Sequence, residues 1–359
     1  MVEVARPALE DALANLRQSV KKSTPDPLVG IFKGDTLNLY QEGYLSVWEN
    51  VSLSGESEEK FFAVDGDDFY NVVSRLSSDT VDLKMNEKSI TVKGGRSNVR
   101  LQFVDSFSNL IPQEPSGDLV EVPSDFFNSF LVARRFIAKS EHQVNLTCIY
   151  FNKSDIGVYI MATDGIKLFY REFELDSAYS FNLDVMLPDS CVEPLSKIFS
   201  STGTRVGLNK KGHVIIDTDY GAKALTTSFN GVFPHTKIRP LVKEQGNLLF
   251  RCDKKDFMDS IRLGDNISDG DRITLSNGDI GSVAESISIN FTDSRMESDI
   301  YLETAKDISE FDNVTLASDL LIQCLAPLGD EIEVRQQKNG MLWMTTDGST
   351  ITLLHKIAV

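Results

Sequence analysis

The chain has 359 residues, enough for two or three domains at roughly 100–200 residues each. Apolar residues make up 41% and charged residues 25%, ordinary globular values that exclude wholesale disorder. The 36 Lys+Arg against 53 Asp+Glu give a formal net charge of −17, so the chain is expected to repel nucleic acid at long range unless its basic residues are segregated.

No apolar run reaches the ~18 residues of a membrane span. The N-terminal stretch MVEVARPALEDAL lacks the basic region and apolar stretch of a signal peptide, so none is expected. Cys148, Cys191, Cys252 and Cys324 are scattered, with no C-x-x-C. Free, mostly buried thiols in a reducing cytoplasm are the expectation.

In chain order, Val2-Glu-Val opens a strand. A helix follows with Leu9, Leu13, Leu16 and Val20 on one stripe. Alternation at Leu37-x-Leu39 then predicts strands. Around Val64 a short strand leads into a helix carrying Phe69, Val72, Val73 and Leu76. Three alternating strands follow: Val81-x-Leu83-x-Met85, Ile90-x-Val92 and Val99-x-Leu101-x-Phe103.

The pattern then recurs. Val120-Glu-Val opens a strand, with Phe126, Phe130, Ala133 and Ile137 on the following helix and Ile149-x-Phe151 on a strand. From Val185, a helix with Val192, Leu195, Ile198 and Phe199 precedes strands at Val206-x-Leu208, Val214-x-Ile216 and Ala224–Ser228. Leu248-Leu-Phe opens a third copy with Phe257 and Ile261 on a shorter helix, then Ile287-x-Ile289-x-Phe291. From Val314, a helix with Leu320, Leu321, Cys324 and Leu325 precedes Ile332-x-Val334, Leu342-x-Met344 and Ile351-x-Leu353.

Val81, Val206 and Ile332 lie 125 and 126 residues apart. The chain therefore reads as α+β: three repeated domains, each of two β-α-β-β-β units. Pro112–Gly117 and Val242–Asn247 separate domains at 1–118, 119–244 and 245–359, near the preferred domain size.

Charge is uneven on the helices. The first has Glu10 and Asp11 early, then Arg17, Lys21 and Lys22; the third has Asp125 early, then Arg134, Arg135 and Lys139. The fifth mixes Asp253, Asp256 and Asp259 with Lys254, Lys255 and Arg262, and Arg75 and Lys197 lie on the second-half helices. Acids early and bases late complement the helix dipole, which accounts for this order with no ligand at all. The repeat adds a second reading, in which equivalent helices line one surface and touch phosphates.

Catalytic motifs are missing. There is no G-x-S-x-G elbow and no G-x-x-x-x-G-K-[ST] loop. His142, His213, His235 and His355 are isolated, so no metal site is expected. Asp65-Gly-Asp67-Asp68 and Asp269-Gly-Asp271 resemble calcium loops, but Leu76 stands where the first would need its terminal Glu. Both read as solvated turns. No cofactor and no enzyme activity are expected. A repeat-built protein-interaction scaffold that touches no nucleic acid is the alternative to the phosphate-touching surface, and a hydrolase with dispersed carboxylates leaves no local signature to read.

Several segments carry a resemblance. Met161-Ala-Thr-Asp-Gly-Ile-Lys-Leu168 is similar to an Ala-Thr-Asp-Gly-His-Arg-Leu segment, and Phe229-Asn-Gly-Val-Phe-Pro234 to a Gly-Arg-Phe-Pro loop. Gly95-Arg-Ser-Asn-Val-Arg-Leu101 and Phe107-Ser-Asn-Leu110 look like a Gly-Arg-Ser segment and a Phe-Pro-Asn-Leu segment. In this order, with threefold repetition, the chain resembles the bacterial DNA polymerase III β sliding clamp family, including phage-encoded versions.

The resemblance implies a homodimeric ring closed head to tail, with Phe107 and Leu110 of one protomer meeting the region of Ile267 in the other. It implies helices lining a hole for double-stranded DNA, contacted without sequence readout by Arg17, Lys21, Lys22, Arg75, Arg134, Arg135, Lys139, Lys197, Lys254, Lys255 and Arg262. It also implies a cleft where DNA polymerase and the clamp loader dock short apolar motifs. The matching positions are Leu146, Thr163, Gly165, Lys167, Leu168, Pro234, Leu353, Ile357 and Val359. The family's role is that of a cytoplasmic processivity factor. Ile166 and Lys167 replace the family's His and Arg, Val144-Asn145 replaces an aromatic pair, Pro188-Asp-Ser190 lacks an Arg-Lys pair, and the tail lacks a Met-Pro-Met pattern.

Overall fold

The computed structural model describes residues 1–20, 27–104, 114–175, 182–267, 271–280, 283–292, 297–302 and 304–356. The elements of the first third are β1 (Val2–Ala5), α1 (Arg6–Ser19), β2 (Leu28–Gln41), β3 (Ser46–Val64), α2 (Gly66–Ser74), β4 (Thr80–Met85), β5 (Ser89–Gly94) and β6 (Ser97–Gln102). The middle third has β7 (Asp118–Glu121), α3 (Phe126–Ala133), β8 (Cys148–Lys153), β9 (Gly157–Thr163), β10 (Lys167–Glu174), β11 (Val185–Pro188), α4 (Asp189–Phe199), β12 (Thr204–Leu208), β13 (Val214–Thr218) and β14 (Lys223–Thr226). After α5 (His235–Lys243) come β15 (Asn247–Asp253), α6 (Lys254–Ile267), β16 (Arg272–Ile280), β17 (Val283–Thr292), β18 (Glu297–Leu302), β19 (Val314–Ala317), α7 (Ser318–Leu325), β20 (Glu331–Gln336), β21 (Leu342–Thr345) and β22 (Thr350–Leu354).

The repeated β-α-β-β-β order is present. It is plain in β7 to β10, β11 to β14, β15 to β18 and β19 to β22. The opening unit differs, because β2 and β3 form one long ribbon from Leu28↔Val64 to Gln41↔Val47. Register shifts on either side of Gly34 divide that ribbon. Gly34 and Gly55 hold φ of 61° and 129°, conformations that L side chains avoid. Each long strand thus serves as two repeat strands, and the short strand predicted at Val64 is the end of β3.

Helices α1, α2, α4, α6 and α7 pack on strands. On α1, Leu9, Ala12, Leu13 and Leu16 are buried, and Pro7 sits in the first turn, where its missing N–H is not needed. Asp65 caps α2 by accepting from the Asp68 amide at 2.9 Å. Two helices depart from expectation. α3 ends at Ala133 and passes into a 3-10 turn at Arg134–Phe136, so Phe136, not Ile137, enters the core. α6 is 14 residues long, equal to α1 rather than shorter. Its Gly264 faces Phe291 so closely that a Cβ would lie 2.0 Å from the ring. Glycine there permits helix and sheet to pack.

The described residues divide into two compact units, Met1–Asn128 with Leu175–Phe229, and Ser129–Glu174 with Asn230–Val359. The middle third of the sequence gives one half to each. Strand pairing explains why. In the first unit β3 pairs with β14, through Trp48↔Lys223 and Val47↔Ala224, within the order β6-β5-β4-β1-β3-β14-β13-β12-β7. In the second unit β10 pairs with β22 within β8-β9-β10-β22-β21-β20-β15. A separate sheet there runs β18-β17-β16-β19. Large side chains fill both cores, including Phe62, Phe69 and Phe199 in the first and Tyr150, Phe169 and Trp343 in the second.

Candidate functional site

The basic residues singled out in the sequence lie mainly on helices or the turns that end them. In the first unit, α1 packs on both α2 and α4; Arg17 lies on α1, Arg75 caps the C-terminal end of α2, and Lys197 lies on α4. All three are exposed. Arg17 pairs with Asp67 at 2.6 Å and lies over the Tyr70 ring at 5.0 Å, and Lys197 pairs with Glu193 at 2.7 Å. In the second unit Arg134, Arg135 and Lys139 are exposed on the 3-10 turn after α3 and just beyond it. On α6, Lys255 is exposed, Arg262 pairs with Asp259 at 3.2 Å, and half-buried Lys254 donates to the Leu328 carbonyl. Lys21 and Lys22 lie outside the described residues.

A groove of about 430 Å³ is lined by His142, Gln143, Val144, Asn145, Leu146, Val232 and Pro234. The loop before β8 supplies one wall, and the segment before α5 supplies the other. The second wall is anchored by ring stacking. Phe233 and His235 stack on the buried Tyr150 ring, with centroids 4.8 and 5.1 Å away. Alternate residues therefore point inward, which leaves Val232 exposed and Pro234 half-buried. The mixture of apolar side chains and a few polar groups suits a short apolar ligand.

The remaining cleft positions form the turn between β9 and β10 and the strands beside it. Thr163 Oγ1 donates to the Lys167 carbonyl at 2.7 Å and accepts from the Gly165 amide at 3.0 Å. Asp164 Oδ1 accepts from the amides of Ile166 and Lys167, both at 2.9 Å. Gly165 holds φ +92°, so glycine is required at the tip. Leu168 stands opposite Leu353, and both are buried.

Thus Leu146 and Pro234 line the groove, whereas Leu168 and Leu353 build the sheet and Lys167 is interior at 6% exposure. Sequence reasoning missed Val232 as a groove residue. Its signal was the alternation of Val232 and Pro234 with the aromatic Phe233. Ile166 is exposed at the turn, and its carbonyl accepts from the His355 amide at 2.9 Å. Ile357 and Val359 lie outside the described residues, as do Phe107 and Leu110. Ile267 is exposed near the end of α6, with exposed Leu263 one turn before it.

Among the described residues no group of three or more His, Cys, Asp or Glu is placed to hold a metal ion. Asp65 is a helix cap, and Asp269 lies outside the described residues. Burial pushes the Cys252 and Cys324 thiols far above their ordinary range. Among the described residues no helix is long and apolar enough to cross a membrane.

No protein-family model matches the chain. It is 20% identical over 342 residues to the beta sliding clamp of Helicobacter pylori strain 26695, covering 91% of this chain and 88% of that protein. The DNA polymerase III subunit beta of Pseudomonas aeruginosa superposes with a TM-score of 0.83 at 15% identity, over all of both chains. The H. pylori beta clamp bound to a DNA ligase peptide superposes at 0.80 with 19% identity, again over all of both chains. The chain has the fold of the bacterial β sliding clamp. The repeat and the segments quoted above had pointed to that fold from sequence.

Proposed function

We propose that the chain is a DNA sliding clamp, a non-enzymatic processivity factor that encircles duplex DNA and tethers a replicative polymerase. The observation that carries this reading is the superposition of the whole chain on β clamps, with the β-α-β-β-β order repeated throughout. Three domains at 1–118, 119–244 and 245–359 form each protomer, and two protomers close head to tail. Ile267 of α6 lies in that junction, with Phe107 and Leu110 as its counterparts.

The basic side chains on α1, α2, α4 and α6 and after α3 face the DNA. Contacts to phosphates alone read no sequence, so the ring slides. An acidic exterior keeps DNA off the outside, which reconciles the net charge of −17 with this role. The groove of Leu146 and Pro234 takes short apolar motifs of the polymerase and the clamp loader. The chain carries no phosphate-binding loop of its own, so loading draws on a partner ATPase. The protein works inside the cell, on DNA. Native mass tests the closed ring first. A species near twice 39.9 kDa supports it, and a monomer at all working concentrations contradicts it.

A further inference from the structure

Lys167 sits where a ligand-facing cation would be expected, on the turn beside the groove. Its side chain instead runs inward and is 7% exposed. The ammonium donates to the Arg135 carbonyl at 2.6 Å and to Gln323 Oε1 on α7. Asp164 lies 3.8 Å away, and the Phe136 ring centroid 5.4 Å away. Two carbonyl-type acceptors, a carboxylate and a ring face occupy the cation, which leaves it no reach toward a bound peptide.

What it holds is the start of the groove wall. Arg135 belongs to the 3-10 turn, whose Phe136 packs on Phe169 of β10 at 5.5 Å. Beyond it the Ala138 amide donates to the Leu146 carbonyl at 2.8 Å, which closes a loop that carries His142 to Leu146. One end of this loop is pinned by Lys167, and the loop supplies most of the groove lining.

We propose that Lys167 is a positioning residue: its ammonium fixes the turn at Arg135 and so sets the loop 138–146 that walls the groove, without touching the ligand. The proposal rests on the reading of the groove as a peptide site. A buried charge that supplies two acceptors is costly to remove, because both acceptors lose their donor.

The test uses the full chain with Lys167→Met, which keeps the stem and removes the ammonium, and Lys167→Arg, which restores donors. The probe is a fluorescent DNA ligase peptide of the kind bound by the H. pylori clamp. Lys167→Met is expected to weaken binding about tenfold and to speed hydrogen exchange of the Ala138 amide by a similar factor. Lys167→Arg is expected to recover both to within about threefold. If Lys167→Met does not fold, Gln323→Ala carries the same two readouts with a loss of about threefold. Unchanged exchange at Ala138 in the folded variant overturns the proposal, as does wild-type affinity. A wild-type chain that fails to bind the peptide overturns the groove reading instead, and the exchange arm then decides the role of Lys167 alone.

Discussion

Leu168 on β10 stands directly across from Leu353 on β22, and the two buried side chains join strands from the middle and last thirds of the sequence into one sheet. α7 packs on both strands. The same seam supports the turn that carries Thr163 to Lys167. Leu353→Ala is expected to destabilise the protein by about 2–5 kcal/mol. A denaturant titration measures it, and the midpoint is expected to move with little change in slope.

Glu49 on β3 is 4% exposed and accepts from Asn15 Nδ2 at 2.9 Å. Burial raises its pKa from 4.5 to about 7; the Asn15 hydrogen bond opposes the rise and the Asp11 carboxylate adds to it. The folded protein therefore favours the protonated acid. This contribution is fully present below the unfolded value and is lost as pH rises through about 7. Glu49→Gln is expected to flatten that decline and to gain roughly 3 kcal/mol on the alkaline side. Thermal melts of both proteins across the range read the difference directly.

Tyr150 stacks with both the Phe233 and His235 rings, and its hydroxyl accepts from Asn152 Nδ2 at 2.6 Å. Tyr150→Ala is expected to cost about 3–5 kcal/mol, as for other large buried aromatics. It also removes the post on which Val232 and Pro234 are set. Tyr150→Phe keeps the stack and gives up one hydrogen bond, a loss of about 1 kcal/mol. Peptide binding is expected to survive in the second variant and to fail in the first.

Charge reversal of Arg134, Arg135 and Lys139 is expected to weaken DNA retention and to flatten its salt dependence. Each lost phosphate contact removes about 0.9 from the slope of log affinity against log salt. Reversal of Arg17, which pairs with Asp67, is likewise expected to weaken retention. Melting temperatures are expected to stay near wild type, since these side chains are exposed. A salt slope identical to wild type in the triple variant contradicts a DNA-facing role.

Much of this was legible from spacing. The alternation at Val81, Leu83 and Met85, matched at Val206 and Ile332, located strands that the structure contains as β4, β12 and β20. Local pattern failed where a distant contact decides. Phe126, Phe130, Ala133 and Ile137 suit one longer helix, yet the chain tightens after Ala133 because Phe136 packs on Phe169. Gly264 weakens a helix in isolation, but in α6 it admits Phe291. Gly34-Asp35 has the composition of a turn, yet the ribbon continues through it with a register shift on either side. In the site, the resemblance implied Lys167 as a cleft residue, and no local pattern showed that it is interior, because its acceptors, the Arg135 carbonyl and Gln323, lie far away in sequence.

The central claim is topological, and one measurement addresses it. The protein is loaded by a clamp loader onto a nicked circular duplex, and the circle is then cut once with a restriction enzyme. Retention on the circle with release from the linear product is the expected result. Equal retention on circular and linear DNA would contradict an encircling clamp.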